Sequence, residues 1–367
     1  MPALTVGCYY PRGRTGVKDY AAALGAALND HGVRLTDGKQ ADISLYHLGN
    51  NQLHREIYLR ALARPGIVVL HDAVLHHFFL GWLDERCYVE EFVYNYGEWS
   101  RELACRLWQR RAHAAADARY FRFAMLRRIA ERSRAIVVHN PAAARLVRAH
   151  APQARVCEIP HLILPAAWPS PAEVERLRQD LGIPAESFVF GLFGYLRESK
   201  RPGAVLRAFA RLRDAGVGSV LLAAGDFVSA ELERALAPLV SQPGVIRVRR
   251  SPERLFLRLM MVADACINLR YPPAGESSGI TIRMMDAGKP VMMTASEENC
   301  RFPEDACVRI EAGVLEEEML FASMLWLARF PEIARQIGRS AQAYVRRVHA
   351  GAQVAAAYCR LLHETVF

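Results

Sequence analysis

The chain reads as an α/β protein built from two Rossmann-like, doubly wound domains facing across a cleft. Three observations predict this. Short apolar runs of strand length alternate with longer segments of helical period, the pattern of parallel sheets covered by helices. The alternation stops at a proline-rich stretch, residues 165–171, with three prolines in seven positions, and then starts again. The 367 residues are enough for two domains of ordinary size, and 52% of them are hydrophobic, so each half can enclose a core. A cleft between two such halves is the expected place for a ligand.

Composition narrows the class. The formal net charge of +9 describes either an arginine-rich surface or attraction to an anionic surface, substrate or nucleotide. Nucleic acid is not an expected partner, because no basic run is interleaved with exposed aromatics and no binding motif appears. The eight cysteines include no C-x-x-C pair, and several sit inside apolar runs. That is the usage of a reducing compartment. The opening residues lack the layout of a signal peptide, and no apolar run approaches the roughly 18 residues of a membrane span. The expectation is a cytoplasmic protein, with peripheral contact at the inner membrane face left open.

In the first half, residues 4–10 read as a strand, 11–16 as a loop and 17–28 as a helix with apolar spacing of three and four. Strand, glycine-containing loop, helix is the opening unit of a doubly wound domain, although the loop is not GxGxxG. Further strands follow at 43–47 and 67–70. Ligands in open α/β sheets bind beyond the C-terminal ends of strands, which singles out Tyr46-His47 and His71-Asp72. His47 fits a wall residue or a hydrogen-bonded core histidine. His71, Asp72, His76 and His77 together invite a metal reading. One turn of helix with a ring buried against Phe78-Phe79 accounts for His76 and His77 without one, and no metal is expected. Residues 80–134 form a helical insertion rich in aromatics and arginines. It serves either as core packing or as an acceptor platform, with Tyr96 and Trp99 as its stacking faces. Strands at 135–139 and 156–159 complete the half. His139-Asn140-Pro141 caps the helix between them.

The second half repeats the pattern: helix 172–181, strand 188–193, loop 194–202, helix 204–212, strands 219–224 and 245–248, helix 252–262. The stretch 264–294 is the most informative. Residues 265–269 read as a buried strand, Gly275-Glu276-Ser277-Ser278-Gly279 as a turn, and 280–287 as a helix that Gly288 ends, with Pro290 just beyond. A carboxylate and two hydroxyls therefore stand where a helix begins. The free N–H groups of a helix start suit an anion, phosphate above all. A strand at 308–310 and helices to the end follow, the last of them, 351–364, amphipathic.

This stretch resembles the donor-site signature of family 4 glycosyltransferases, retaining group 1 enzymes with the two-domain GT-B fold. Glu276, Gly279 and Gly288-Lys289-Pro290-Val291 match it. The family's second glutamate, eight residues after the first, is here Met284, preceded by Arg283, and the spacing to Gly288 is one residue short. The ribose-gripping role of that glutamate therefore does not carry over. The run Phe193-Gly194-x-Leu196-x-x-x-Lys200-Arg201-Pro202 is similar to the family's diphosphate-binding loop. It implies Lys200 with Arg197 or Arg201 as the cations. Pro11, Thr15-Gly16-Val17 and Asp19-Tyr20 look like the family's N-terminal loop beside the transferred sugar, and His71-Asp72 matches the end of the equivalent strand. Arg250 follows the strand where the family holds the base. The resemblance spans 188–308 and, before residue 140, only those two patches.

The resemblance implies three parts: an acceptor-side domain 1–164 carrying the insertion 80–134, a nucleotide-sugar domain 165–345, and a final helix within 346–367 that crosses back to the first domain. It implies catalysis by His71, Glu276 and Lys200. Donor binding would use Gly16, Arg197, Lys200, Arg201, Arg250, Glu276, Ser277, Ser278, Gly279, Ile280 and Arg283. The acceptor side would use Tyr46, His47, Asp72, Tyr96 and Trp99. The implied reaction moves a sugar from a nucleotide-diphosphate donor, a UDP- or GDP-sugar, to a glycan, lipid-linked or small-molecule acceptor with retention, in bacterial glycan, glycolipid or natural-product biosynthesis. No cofactor is expected. The chain has no D-x-D pair for a metal-bridged donor. Two alternatives stand beside it: a non-catalytic GT-B-like partner, motivated by the missing second glutamate, and a sugar-nucleotide epimerase or hydrolase on the same fold.

Overall fold

The computed structural model describes residues 4–13, 15–36, 41–249 and 251–366. Within them lie two six-stranded sheets. The first comprises β1 Thr5–Tyr9, β2 Arg34–Thr36, β3 Ile43–Leu48, β4 Ile67–Leu70, β5 Ala135–Val138 and β6 Val156–Glu158, in the order β2-β1-β3-β4-β5-β6. The second comprises β7 Phe188–Phe193, β8 Ser219–Ala224, β9 Val245–Val248, β10 Ala265–Asn268, β11 Val291–Thr294 and β12 Val308–Ile310, in the order β12-β11-β10-β7-β8-β9. Every pairing is parallel. These are two Rossmann-like sheets, as the alternation predicts.

The central strands are continuously apolar because both faces of a parallel sheet are covered. β4 shows the division. Ile67 and Val69 face a core containing Leu45, Ala135, Val137, Tyr20 and Leu24. Val68 and Leu70 face another, containing Tyr46, Ile136, Val138, Tyr88 and Phe92. The side-chain period of two makes each strand serve both cores. β2 has no counterpart among the predicted strands, since three residues, Arg-Leu-Thr, are too few to show alternation.

The described chain divides into two compact units. The first is Met1–Leu164, Pro272–Ser277 and Val348–Phe367, and the second is Pro165–Tyr271 and Ser278–Arg347. In the first unit the last helix, Gly351–Val366, lies on Gly16–Asn29, the helix after β1, and the hydroxyls of Tyr20 and Tyr358 are 3.0 Å apart in the buried seam. In the second unit the helix Pro171–Asp180 opens with a capping box, Ser170 and Glu173 each accepting from the other's backbone N–H.

The insertion folds as helices Glu85–Tyr96, Arg101–Gln109 and Arg127–Arg132 joined by short 3-10 turns. Tyr88, Phe92, Trp108 and Tyr120 are buried in its core. His76 and His77 tie that core to the sheet. His76 Nδ1 donates to Tyr120 O at 2.9 Å, and its Nε2 lies 2.7 Å from the Tyr88 hydroxyl. His77 Nε2 donates to Ala114 O at 3.1 Å. Both rings pack on aromatics of the insertion.

One glycine sets how closely two loops of the second sheet approach. Gly225, just after β8, has φ +143°, and a Cβ there would stand 2.1 Å from Gly194 O in the loop after β7. Both the backbone conformation and the space exclude a side chain. Gly225→Ala is expected to destabilise the protein by about 3 kcal/mol in urea unfolding. Gly218→Ala, where a Cβ meets nothing within 4 Å, is expected to change stability by less than about 1 kcal/mol.

Candidate functional site

In each sheet the strand order reverses beside the first strand, and the loops on either side of that reversal diverge to leave a crevice at the C-terminal ends. In the second sheet the reversal lies between β7 and β10. The loops after these two strands are the ones carrying the sequence motifs.

The loop after β7 turns through Gly194 at φ +84° and a 3-10 turn, Glu198–Lys200. Lys200 is buried, 3% exposed, and its Nζ donates to Phe193 O at 2.6 Å. Burial pushes its pKa well below the usual lysine value, and the positive charges of Arg270 and then Arg197 push it further the same way. The basic side chains of Lys200, Arg270 and Arg197 thus converge at the switch point. Arg270, two residues past β10, carries no motif of its own, and the switch-point rule that singles out the loop after β7 applies to it equally. Arg201 points elsewhere: it is left-handed at φ 57°, and its Nε donates to Glu316 at 2.8 Å.

Beyond β10 the helix Gly279–Asp286 begins. Ser278 caps it, its Oγ accepting from Thr281 N at 3.3 Å. Asn268, at the end of β10, donates from Nδ2 to Ser278 Oγ at 2.8 Å and to Thr281 Oγ1 at 2.6 Å, fixing the helix start to the strand. The first-turn N–H groups of Gly279 and Ile280 carry the positive end of the helix dipole. Arg283 pairs with Glu253 at 3.2 Å. Met284 has no exposed surface, so a carboxylate at that position would be buried rather than offered to a ligand. Lys289 is structural: its Nζ donates to Met261 O at 2.9 Å. Arg250 lies outside the described residues.

The first unit carries the other candidates. Pro272–Ser277 belongs to it, so Glu276 and Ser277 share a unit with His71 while Ser278 onward lies in the second. This segment is fastened beyond β4 and β5. Ala73 N donates to Ala274 O at 2.8 Å. Asn140 Nδ2 donates to Gly275 O at 3.0 Å and to Ser277 Oγ at 3.1 Å. Gly275 has φ +68° and would place a Cβ 2.6 Å from the Ala73 Cβ. Glu276 Oε2 accepts from Ala274 N at 2.7 Å. Asn140 also caps the helix that follows it, its Oδ1 accepting from Ala143 N at 2.9 Å.

Asp72 Oδ2 accepts from Asn50 N at 2.8 Å. Gly16 opens the helix after β1, at this sheet's own reversal between β1 and β3, and is exposed beneath the Thr15 cap. Tyr46 and His47, expected at the acceptor side, have no exposed surface. Tyr46 instead donates its hydroxyl to Arg64 O at 2.9 Å. Tyr96 packs between Phe92 and Phe123, its hydroxyl accepting from Met125 N at 3.1 Å, whereas Trp99 is 75% exposed.

His71 ends β4 with 9% of its surface exposed. It joins a buried group that residue spacing gave no sign of. His47 Nδ1 and His71 Nε2 are 3.1 Å apart, the rings of His71 and His139 are centred 5.3 Å apart, and Tyr20 packs against His47, His71, His139 and His161. Burial pushes His47 down to about 3, and His54 and His139 to about 4, and holds His71 and His161 well below the usual value. All five are neutral in the folded protein. The unfolded chain takes up protons below the ordinary histidine value of 6.5 and the folded one does not, so stability is complete above that pH and is lost as pH falls toward the folded values. Each such histidine withdraws about 1.4 kcal/mol between pH 7.5 and 5.5. With His76, which burial also pushes down to about 3, urea unfolding at the two pH values is expected to show a loss of several kcal/mol, of which His139→Gln should recover about 1.4 kcal/mol.

Solved structures match nearly the whole chain. HepE of Anabaena in complex with UDP-glucose superposes with a TM-score of 0.64 at 13% identity, covering 98% of this chain and 100% of that one. Sucrose-phosphate synthase of Thermosynechococcus elongatus gives 0.67 at 14%, covering 98% of each. WaaG, a glycosyltransferase involved in lipopolysaccharide biosynthesis, gives 0.62 at 16%, covering 96% and 98%. The fold is that of the GT-B glycosyltransferases. No family model and no curated protein sequence matches the chain. No described helix is long and apolar enough to cross a membrane.

Proposed function

We propose that the protein is a glycosyltransferase moving a sugar from a nucleotide-diphosphate donor to a hydroxyl of a glycan, lipid-linked or small-molecule acceptor, with retention of anomeric configuration. The observation that carries this reading is the convergence of Lys200, Arg197 and Arg270 at the switch point of the second sheet. When the bond from the sugar to phosphate breaks, the ring gains positive character and the departing diphosphate gains negative charge. Cations fixed in advance where that charge develops lower the barrier most. The start of the helix Gly279–Asp286, tied down through Asn268, adds a second anion-stabilising element. Glu276 would accept hydrogen bonds from hydroxyls of the transferred sugar and so fix its position. His71, neutral and barely exposed, would act as a hydrogen-bond donor or acceptor rather than as a charge.

UDP is the first donor nucleotide to test, because HepE was crystallised with UDP-glucose, and GDP is the second. UDP at 100 times its Kd should stabilise the protein by about 2.7 kcal/mol in thermal unfolding, with or without EDTA. Lys200→Met should abolish the shift. If no nucleotide diphosphate shifts the melting point, the donor-site reading fails. Met284 in place of the second glutamate favours one other reading, a non-catalytic partner protein. That reading requires nucleotide sugars to remain unhydrolysed and untransferred, and Glu276→Gln to leave function intact.

In the free protein Lys200 is held toward its neutral form, and a diphosphate beside it reverses that. Binding should therefore take up protons at pH values above the depressed pKa, and affinity should fall as pH rises. Calorimetry in buffers of different ionisation enthalpy measures the uptake, and Lys200→Met should remove it.

A further inference from the structure

We infer that His47 is a positioning residue: its Nδ1–H donates to Nε2 of His71 and holds His71 as the neutral tautomer protonated on Nδ1. The functional consequence rests on the glycosyl-transfer reading above; the tautomer itself does not.

A neutral imidazole carries one N–H and one bare nitrogen, and a backbone carbonyl can only accept. Nδ1 faces a carbonyl in His54 (His47 O, 3.0 Å), in His139 (Ile159 O, 2.9 Å) and in His161 (Leu162 O, 2.9 Å). Each of these rings therefore carries its proton on Nδ1 and leaves Nε2 bare. His47 and His71 face each other across 3.1 Å, and no carbonyl sets the direction of that bond.

The far side of His47 sets it. His47 Nε2 is buried without a hydrogen-bond partner. If His71 donated, the His47 proton would have to sit on that nitrogen, an orphaned N–H in the core. If His47 donates, the same position holds only a lone pair. Buried N–H groups without an acceptor are the rarer and costlier defect. This unit already tolerates the cheaper one, because His139 Nε2 is also buried without a partner, and its proton is committed to Ile159 O. Burial, together with the neighbouring imidazoles, keeps both rings uncharged, so a shared-proton imidazolium pair is not the alternative.

His71 is then left with Nδ1–H as its second edge. With Nε2 occupied by His47, that edge is a hydrogen-bond donor and not a base. It suits an oxygen acceptor, a sugar hydroxyl or a phosphate oxygen. A fully buried residue that touches no ligand would thus decide which chemistry His71 offers.

The test uses wild-type protein labelled with 15N in histidine. The His71 signals are assigned by their loss in His71→Asn. Long-range proton–nitrogen correlation at pH 7.5 reports which ring nitrogen is protonated. The expected result is Nδ1–H; an Nε2–H pattern for His71 overturns the inference. His47→Asn, whose amide can donate from about the position of Nδ1–H, should preserve the His71 pattern. His47→Leu should shift His71 to a mixture of tautomers, and an unchanged pattern there overturns the positioning role. If His47→Leu does not fold, the wild-type spectrum still decides the direction of the bond. With UDP-glucose turnover as the readout, His47→Leu should lower kcat/KM about tenfold, the worth of one neutral hydrogen bond, and His47→Asn should stay within about threefold of wild type. Failure of UDP to bind, with His71 found as Nδ1–H, removes the functional reading and leaves the tautomer standing.

Discussion

The placing of one strand governs the second unit. After three strands have been laid side by side, the chain returns across the sheet and sets β10 against β7 on the side opposite β8. Parallel crossovers are right-handed, so strands laid in opposite directions from β7 send their helices to opposite faces. The loops leaving β7 and β10 therefore flank the point where the strand order reverses, and Tyr271 N, donating to Ser199 O at 2.8 Å, ties one to the other. Lys200, Arg270 and the start of the helix Gly279–Asp286 all lie at that reversal. Gly225 lies close against Gly194 in the loop after β7, and a Cβ at Gly194 would in turn stand 3.0 Å from Lys200 Nζ. The clustered basic side chains are therefore consequences of the strand order as much as of the residue types.

The first unit solves a different problem, how to bury many polar rings. Its histidines direct N–H groups to backbone carbonyls, as His139 does to Ile159 and His349 does to His161 across 2.5 Å. The hydroxyls of Tyr20 and Tyr358 share one hydrogen bond between two helices far apart in sequence. In a low-dielectric interior burial holds these histidines toward their neutral form. The same neutrality makes the unit sensitive to acid.

Much of the site in the second unit was legible from local pattern. The loop after β7 announces itself by a strand followed by Gly194 and basic residues, and the helix beyond β10 by Ser278 ahead of an apolar period. Local rules suffice there because caps and turns are satisfied within a few residues. Arg201 shows the limit: adjacent to Lys200 in sequence, it turns to Glu316, a partner 115 positions away. Tyr46 shows another. The alternation placed it correctly at the end of a strand, but whether a strand end is open or covered depends on what packs over it, here the backbone at Arg64.

Spacing between distant segments had no signature at all. His47, His71, His139 and His161 are each an isolated residue in the sequence, and only parallel pairing of β3, β4 and β5 in register brings the first three together. Likewise nothing local reveals that Pro272–Ser277 packs with the first unit, since that depends on Asn140 and Ala73 meeting its backbone. The amino-acid sequence by itself determined the strands, helices, caps and turns, and with them the double α/β class, because those arise from interactions within a few residues. The tertiary structure decided which ionisable groups are buried, paired or neutral, because desolvation and long-range hydrogen bonding are properties of the packed surroundings and not of the residue.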